Sequence, residues 1–240
     1  MKVLIYSYSI PSISELALEL IPMGFESIET NSMEETLKQI SKNQFPILLS
    51  ENIELDFLKK VKEISPSTYI FLLIKSKTPP ESIKNLSNIK ISAIINFVEN
   101  PYLLAEEIVN HFISLDIKTN EKRSYLRVQP KDFEELKGAI YLKKFNRFIK
   151  GKIIDISCGG VAVLIPELDE MKYLIPGTIY DPLIILIDDD SIKTLASLIG
   201  IRKNAAGFKF ENVEPAGMRK ISSYIYYRLS EKNRELTKKI

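Results

Sequence analysis

Short apolar runs alternate with amphipathic stretches through the first half of the chain, and that rhythm sets the kind of layer it can form. Val3 to Tyr8 reads as a strand, and Ser12 caps a helix with Glu15 three residues on, carrying Leu16, Leu18, Leu20 and Ile21. Ser27 to Thr30 reads as a weaker strand, and Ser32 to Lys42 as a helix with Met33, Leu37 and Ile40 on one face. Pro46 to Leu49 predicts a buried strand, and Leu55, Leu58, Val61 and Ile64 predict a helix. Tyr69 to Ile74 is a continuous apolar strand, followed by a predicted helix near Pro80 to Leu86 and a strand at Ala93 to Val98. Pro101 to Leu115 closes the set as a helix. Five strands alternating with five helices imply a parallel α/β sandwich over residues 1–116.

Residues 116–124 are polar and aperiodic, and residues 117–127 read as the linker. Beyond them the rhythm changes to strands and turns. Ala139 to Phe145 and Phe148 to Ile156 flank a hairpin tip at Asn146-Arg147. Val161 to Ile165 follows Gly159-Gly160, and Leu183 to Ile187 precedes an acidic turn at Asp188 to Ser191. Lys193 to Arg202 and Phe208 to Phe210 are separated by a turn at Asn204 to Gly207. Such regular strands predict a small antiparallel barrel over residues 128–240. A charged amphipathic helix from Pro215 to about Lys238 ends the chain, with Met218, Ile221, Ile225 and Leu229 in phase.

Composition narrows the function. The formal net charge is only +2, so a polyanionic ligand needs a local cluster of cations. One cysteine and one histidine exclude an internal disulfide and a Cys/His metal site of ordinary spacing. The N-terminus reads as a first strand rather than a signal peptide, and no apolar run approaches the ~20 residues of a membrane span. The expectation is a cytoplasmic protein with no membrane segment.

The first half resembles a response-regulator receiver domain in layout but lacks its chemistry. Ser7 and Tyr8 stand where a receiver carries acids, and Ser50-Glu51 where its phosphate-accepting Asp would be. Lys75-Ser76 and Asn100-Pro101 occupy the positions of the strand-four hydroxyl and the Lys-Pro pair. Phosphotransfer needs Mg²⁺ held by carboxylates and a cation for the phosphoryl group. The segment therefore reads as a pseudo-receiver, a module for interaction with a downstream protein or for self-association, with Glu51 a plain surface carboxylate or a mimic of the phosphorylated state.

Arginine is scarce, 7 of the 33 basic residues, yet Arg123 and Arg127 sit four apart in Lys122-Arg123-Ser124-Tyr125-Leu126-Arg127. By itself that pair fits a solvated basic stretch. Asp155-Ile156-Ser157-Cys158-Gly159-Gly160 by itself fits a polar strand end with a glycine turn. On a strand there, Ile154 and Ile156 face the core while Asp155 and Ser157 face away.

In this order, ahead of strand-rich sequence, the two segments resemble the PilZ family, whose signature is Arg-x-x-x-Arg followed by Asp/Asn-x-Ser-x-x-Gly. The likeness covers about residues 118–235 and includes Ala206 to Phe210 as the last barrel strand. It implies a non-enzymatic receptor for cyclic di-GMP that signals by a change in domain arrangement or partner binding, without cofactor or metal. The implied ligand residues are Arg123, Arg127, Asp155, Ser157 and Gly160, with Lys122 and Gly159 beside them. Guanidinium forks bind phosphate bidentately, match the O6/N7 edge of guanine and stack on purines. Asp155 can accept from guanine N–H groups, and Ser157 can donate to a phosphate or base. Lys122 stands where many members carry a further arginine, which leaves one or two bound nucleotides open. The alternative is a PilZ-like scaffold that does not bind nucleotide.

The remaining features carry bland readings. Cys158 is a small packing residue, His111 a surface or packing residue, and Asp188 to Asp190 a solvated turn. Tyr224, Tyr226 and Tyr227 pack the last helix or mark a partner surface. Arg219, Lys220, Arg228, Lys232 and Arg234 alternate with acids, so nucleic acid is not an expected partner. No nucleophile–base constellation is present, and no catalytic residue is assigned.

Overall fold

The computed structural model describes residues 1–8, 13–43, 45–75, 86, 88–117 and 125–238. Contacts divide the chain into two units, residues 1–122 and 123–240. In the first, apolar runs too short for helices become strands β1 (Lys2–Tyr6), β2 (Glu26–Thr30), β3 (Ile47–Ser50), β4 (Tyr69–Ile74) and β5 (Ala93–Asn96). All pair in parallel, in the order β2-β1-β3-β4-β5. That is the doubly wound, receiver-like order, with helices on both faces. The helices described are α1 (Ile13–Leu20), α2 (Met33–Asn43), α3 (Leu55–Ile64) and α4 (Pro101–Ser114).

Two of these helices start where polar side chains satisfy their first N–H groups. Ser32 Oγ accepts from Glu35 N at 3.2 Å, and Asn100 Oδ1 accepts from Tyr102 N and Leu103 N at 3.0 and 3.1 Å. On one sheet face Leu4, Leu48, Ile70 and Leu72 pack with Ile40, Phe57, Leu58 and Val61. On the other, Phe112 meets Phe25 and Phe71 at ring separations of 5.1 and 4.9 Å. The predicted cap Ser12 and the helix predicted over 80–86, apart from Leu86, lie outside the described residues.

The structure corrects the reading of Glu51 as a surface carboxylate. Its side chain is 7% exposed and pairs with Lys75 Nζ at 3.1 Å, while Ser7 Oγ donates to its second oxygen at 2.8 Å. The carboxyl ends of β1, β3 and β4 are thus joined through one buried acid.

In the second unit seven strands follow: β6 (Arg127–Val128), β7 (Lys137–Leu142), β8 (Arg147–Ser157), β9 (Gly160–Leu164), β10 (Ile179–Ile187), β11 (Asp190–Arg202) and β12 (Ala205–Val213). β7 to β12 close into an antiparallel barrel in the order β8-β7-β10-β11-β12-β9, because β9 also pairs with β8, and β6 adds to the end of β8. Ile140, Ile149, Ile153, Ile156, Val163, Leu183, Ile185 and Leu198 fill it, each fully buried. α5 (Pro215–Lys238) packs on the barrel through Ile221 and Ile225.

Three local expectations are corrected. Lys143 to Phe145 form a 3-10 turn, not strand, and Asn146 takes a left-handed conformation at φ 48°. The last hairpin turns at Lys203 and Asn204, with Ala205 to Gly207 already in β12. Ile154 is only half-buried, because the β8–β9 register shifts between Ile153 and Asp155. The extra residue is a bulge, and it breaks the alternation that would have sent Ile154 inward.

Glu51→Ala should weaken the first unit by about 1–3 kcal/mol, since it strips an acceptor from Ser7 and the partner from Lys75. Native-state hydrogen exchange of the β3 amides is the measurement, with β8 amides unchanged as the internal control.

Candidate functional site

Arg127 reaches the second motif because a two-residue strand adds to the end of a long one. β6 pairs antiparallel with β8, Arg127 opposite Ser157 and Val128 opposite Ile156. Leu126 and Val128 are buried while Tyr125 and Arg127 are exposed, so the segment presents alternate residues outward. Arg127 Nη1 lies 3.6 Å from Asp155 Oδ1, with side chains 49% and 26% exposed. A pair so open to water contributes about 0–1 kcal/mol. It orients the two groups without locking them.

The β8–β9 turn is held by backbone. Ser157 pairs with Gly160, and the buried Ser157 hydroxyl donates to the Gly160 carbonyl at 3.2 Å. Its lone pairs remain as acceptors. Phe210 N donates to the Gly159 carbonyl at 3.0 Å. A Cβ built on Gly160 would lie 2.2 Å from the Phe208 carbonyl oxygen, and one on Gly159 would lie 2.3 Å from Tyr125 Cδ2. Only glycine lets β12 and the Tyr125 ring approach this closely.

Cys158 points the other way. It is buried, and its Sγ lies 3.6 Å from Ser222 Oγ on α5. Burial pushes its thiol up to about 11, against a smaller downward pull from Ser222. The helix is also fastened to the segment that follows β6. Tyr224 Oη donates to Glu134 Oε2 at 2.6 Å, Lys131 Nζ pairs with Glu231 at 3.1 Å, and Arg228 Nη2 donates to the Gln129 carbonyl at 3.4 Å. Burial and Glu134 together raise the Tyr224 phenol well above its usual range. Arg228 pairs with Glu134 and Glu231, and Lys220 with Asp190, so these helix cations face acids of their own chain.

The structure thus brings Arg127, Asp155, Ser157, Gly159 and Gly160 together, whereas Lys122 and Arg123 lie outside the described residues. It adds Lys209, which β12 sets directly opposite Gly160 with its ammonium 3.4 Å from Glu211. Sequence reading placed Lys209 in the last strand but had no register to bring it to the turn. A separate groove of about 620 Å³ along β7, β8 and β10, lined by Leu136, Ala139, Leu164 and Leu186, contains none of the motif residues.

The family model for the PilZ domain matches residues 121–227, which hold both motifs and the barrel strands described above. Residues 121–227 are a PilZ domain. No curated protein matches the chain.

Among solved structures, the PilZ domain of YcgR from Escherichia coli with c-di-GMP is 22% identical, covering 50% of this chain and 100% of that one, with a TM-score of 0.41. The inhibitor of motility MotI/DgrA from Bacillus subtilis is 21% identical, covering 48% of this chain and 54% of that one, with a TM-score of 0.38. The signal receiver domain of a Vibrio parahaemolyticus protein described as a Luxo repressor is 11% identical, covering 48% of this chain and 92% of that one, with a TM-score of 0.41. The chain therefore spans the whole of the first and about half of the second.

Among the described residues no group of three or more His, Cys, Asp or Glu could hold a metal ion, and no helix is long and apolar enough to cross a membrane. Beside the outward-facing arginine and aspartate of the PilZ domain, Cys158 supplies a test of the turn's packing. With its thiol raised from 9.0 to about 11, the thiolate at pH 8 is roughly a hundredfold scarcer than in the unfolded chain. Thiol titration at pH 8 should therefore be slow in the native protein and become prompt in denaturant. The sign follows for stability: Cys158 favours the folded state fully below pH 9, and that contribution is lost as pH rises toward 11.

Proposed function

We propose that the PilZ domain is a non-catalytic receptor for cyclic di-GMP. The observation that carries this reading is the β6–β8 pairing, which sets Arg127 beside Asp155 on the outward face of the barrel. Arg127 is the fork for a phosphate or for the O6/N7 edge of a guanine. Asp155 is an acceptor for guanine N–H groups, and Lys209 adds a cation on the far side of the turn. Ser157 fixes the turn through the Gly160 carbonyl. Arg123 and Lys122 are the further ligand cations that the family signature implies.

The pair Arg127–Asp155 already neutralises itself in part, so the ligand exchanges one weak ion pair for two charge-assisted contacts. Each such contact is worth about 1.5–3 kcal/mol. Arg127→Ala should therefore weaken binding at least ~10-fold, and Arg127→Lys should restore little of it, because an ammonium cannot make the bidentate contact. Isothermal titration of the full chain with cyclic di-GMP tests both. No heat from the wild-type chain at saturating nucleotide would overturn the reading in favour of a PilZ-like interaction scaffold.

The output we propose is a change in domain arrangement or in partner binding. A ligand held by both Arg123 and Arg127 ties the joining segment to the barrel and restricts the two units. Small-angle scattering should differ between free and saturated protein, and identical profiles would remove this part of the proposal.

A further inference from the structure

Tyr125 lies midway between the two arginines of the first motif, and the sequence pattern gives it no role. It is 42% exposed, yet its ring is seated. A Cβ on Gly159 would come 2.3 Å from Tyr125 Cδ2, 2.5 Å from Cε2 and 3.1 Å from Cγ. One edge of the ring therefore rests on the bare Cα of Gly159, where any side chain would push it away. Among the described residues its hydroxyl makes no hydrogen bond, and the ring's close contact is with Gly159. Alternation along the segment turns Tyr125 and Arg127 outward together, with Leu126 and Val128 buried between and beyond them.

The chemistry left open by Arg127 and Asp155 is the face of a base. Those two groups address phosphate oxygens and base edges, and neither offers a flat apolar surface. An exposed aromatic ring fixed beside them does, and base–aromatic stacking tolerates any base because every base has a π-face.

We propose that Tyr125 is the stacking platform for one guanine of the ligand, and that Gly159 is the seat that sets its position. The proposal rests on the cyclic di-GMP reading of the same site. It makes the phenol dispensable and the ring essential. It also assigns Gly159 to ring placement, beyond turn geometry.

Calorimetric titration of full-length variants with cyclic di-GMP tests it, with thermal melting of each variant alongside. Tyr125→Ala is expected to weaken binding about tenfold or more while the melting temperature stays near wild type. Tyr125→Phe should stay within about threefold of wild type, and Tyr125→Leu, which keeps bulk without a π-face, should resemble the alanine variant. Gly159→Ala should weaken binding in wild type but add little on top of Tyr125→Ala, since both act through the same ring. A wild-type chain that binds while Tyr125→Ala binds equally well overturns the platform and leaves the receptor reading intact. A melting temperature that falls with Tyr125→Ala at unchanged affinity marks the ring as a cover for the turn and also overturns it. A wild-type chain that does not bind overturns both.

Discussion

Two residue pairs, Arg127 with Ser157 and Val128 with Ile156, carry the first motif to the second. Without them Arg127 would not lie beside Asp155. The pairing costs the chain the conformational freedom of the arm at Arg127, and buried Val128 and Leu126 offset that loss by filling the barrel end. β8 can accept the addition because it is long: β7 occupies its first half on one side and β6 its end, while β9 runs along the other. The bulge at Ile154 lets one strand serve three partners, since the added residue swings Asp155 outward while Ile156 still enters the core.

The close packing of the turn has the same origin. β12 lies against Gly160 and donates from Phe210 to Gly159, so the hairpin between β8 and β9 is backed by a third strand. The outward face then carries charge and an aromatic ring, and the inward face carries Cys158. In the first unit the corresponding economy is electrostatic: the sheet end where a receiver would take up a phosphoryl group already holds a buried carboxylate with a hydroxyl and an ammonium upon it.

Much of this was legible in the chain, and what was not legible has a common cause. Continuous apolar runs such as Tyr69 to Ile74 and in-phase residues such as Leu55, Leu58 and Val61 declare their elements locally, and the structure holds them. The motifs declared candidate residues by type and spacing. A two-residue strand has no period to detect, however, so Arg127 read as the end of the linker. The bulge hid in an otherwise regular alternation, and Ala205 to Gly207 looked like a turn because small residues also serve where strands approach closely. Lys209, Tyr125 and the burial of Glu51 depend on partners from 24 to 49 residues away, which only the register and packing reveal.

Cys158 and Ser222 give the turn a second audience. Asp155 and Gly159 near it are partly open to solvent and Ser157 is buried in the turn, while the Cys158 side chain lies against α5, and α5 in turn grips Gln129, Lys131 and Glu134 just downstream of Arg127. The hairpin tip therefore packs between a wet face and a helix, and the same helix holds the loop after β6. The two sides are thus joined by an unbroken run of contacts. Drift in sequence along α5 would retune the barrel's outer face while leaving both motifs intact.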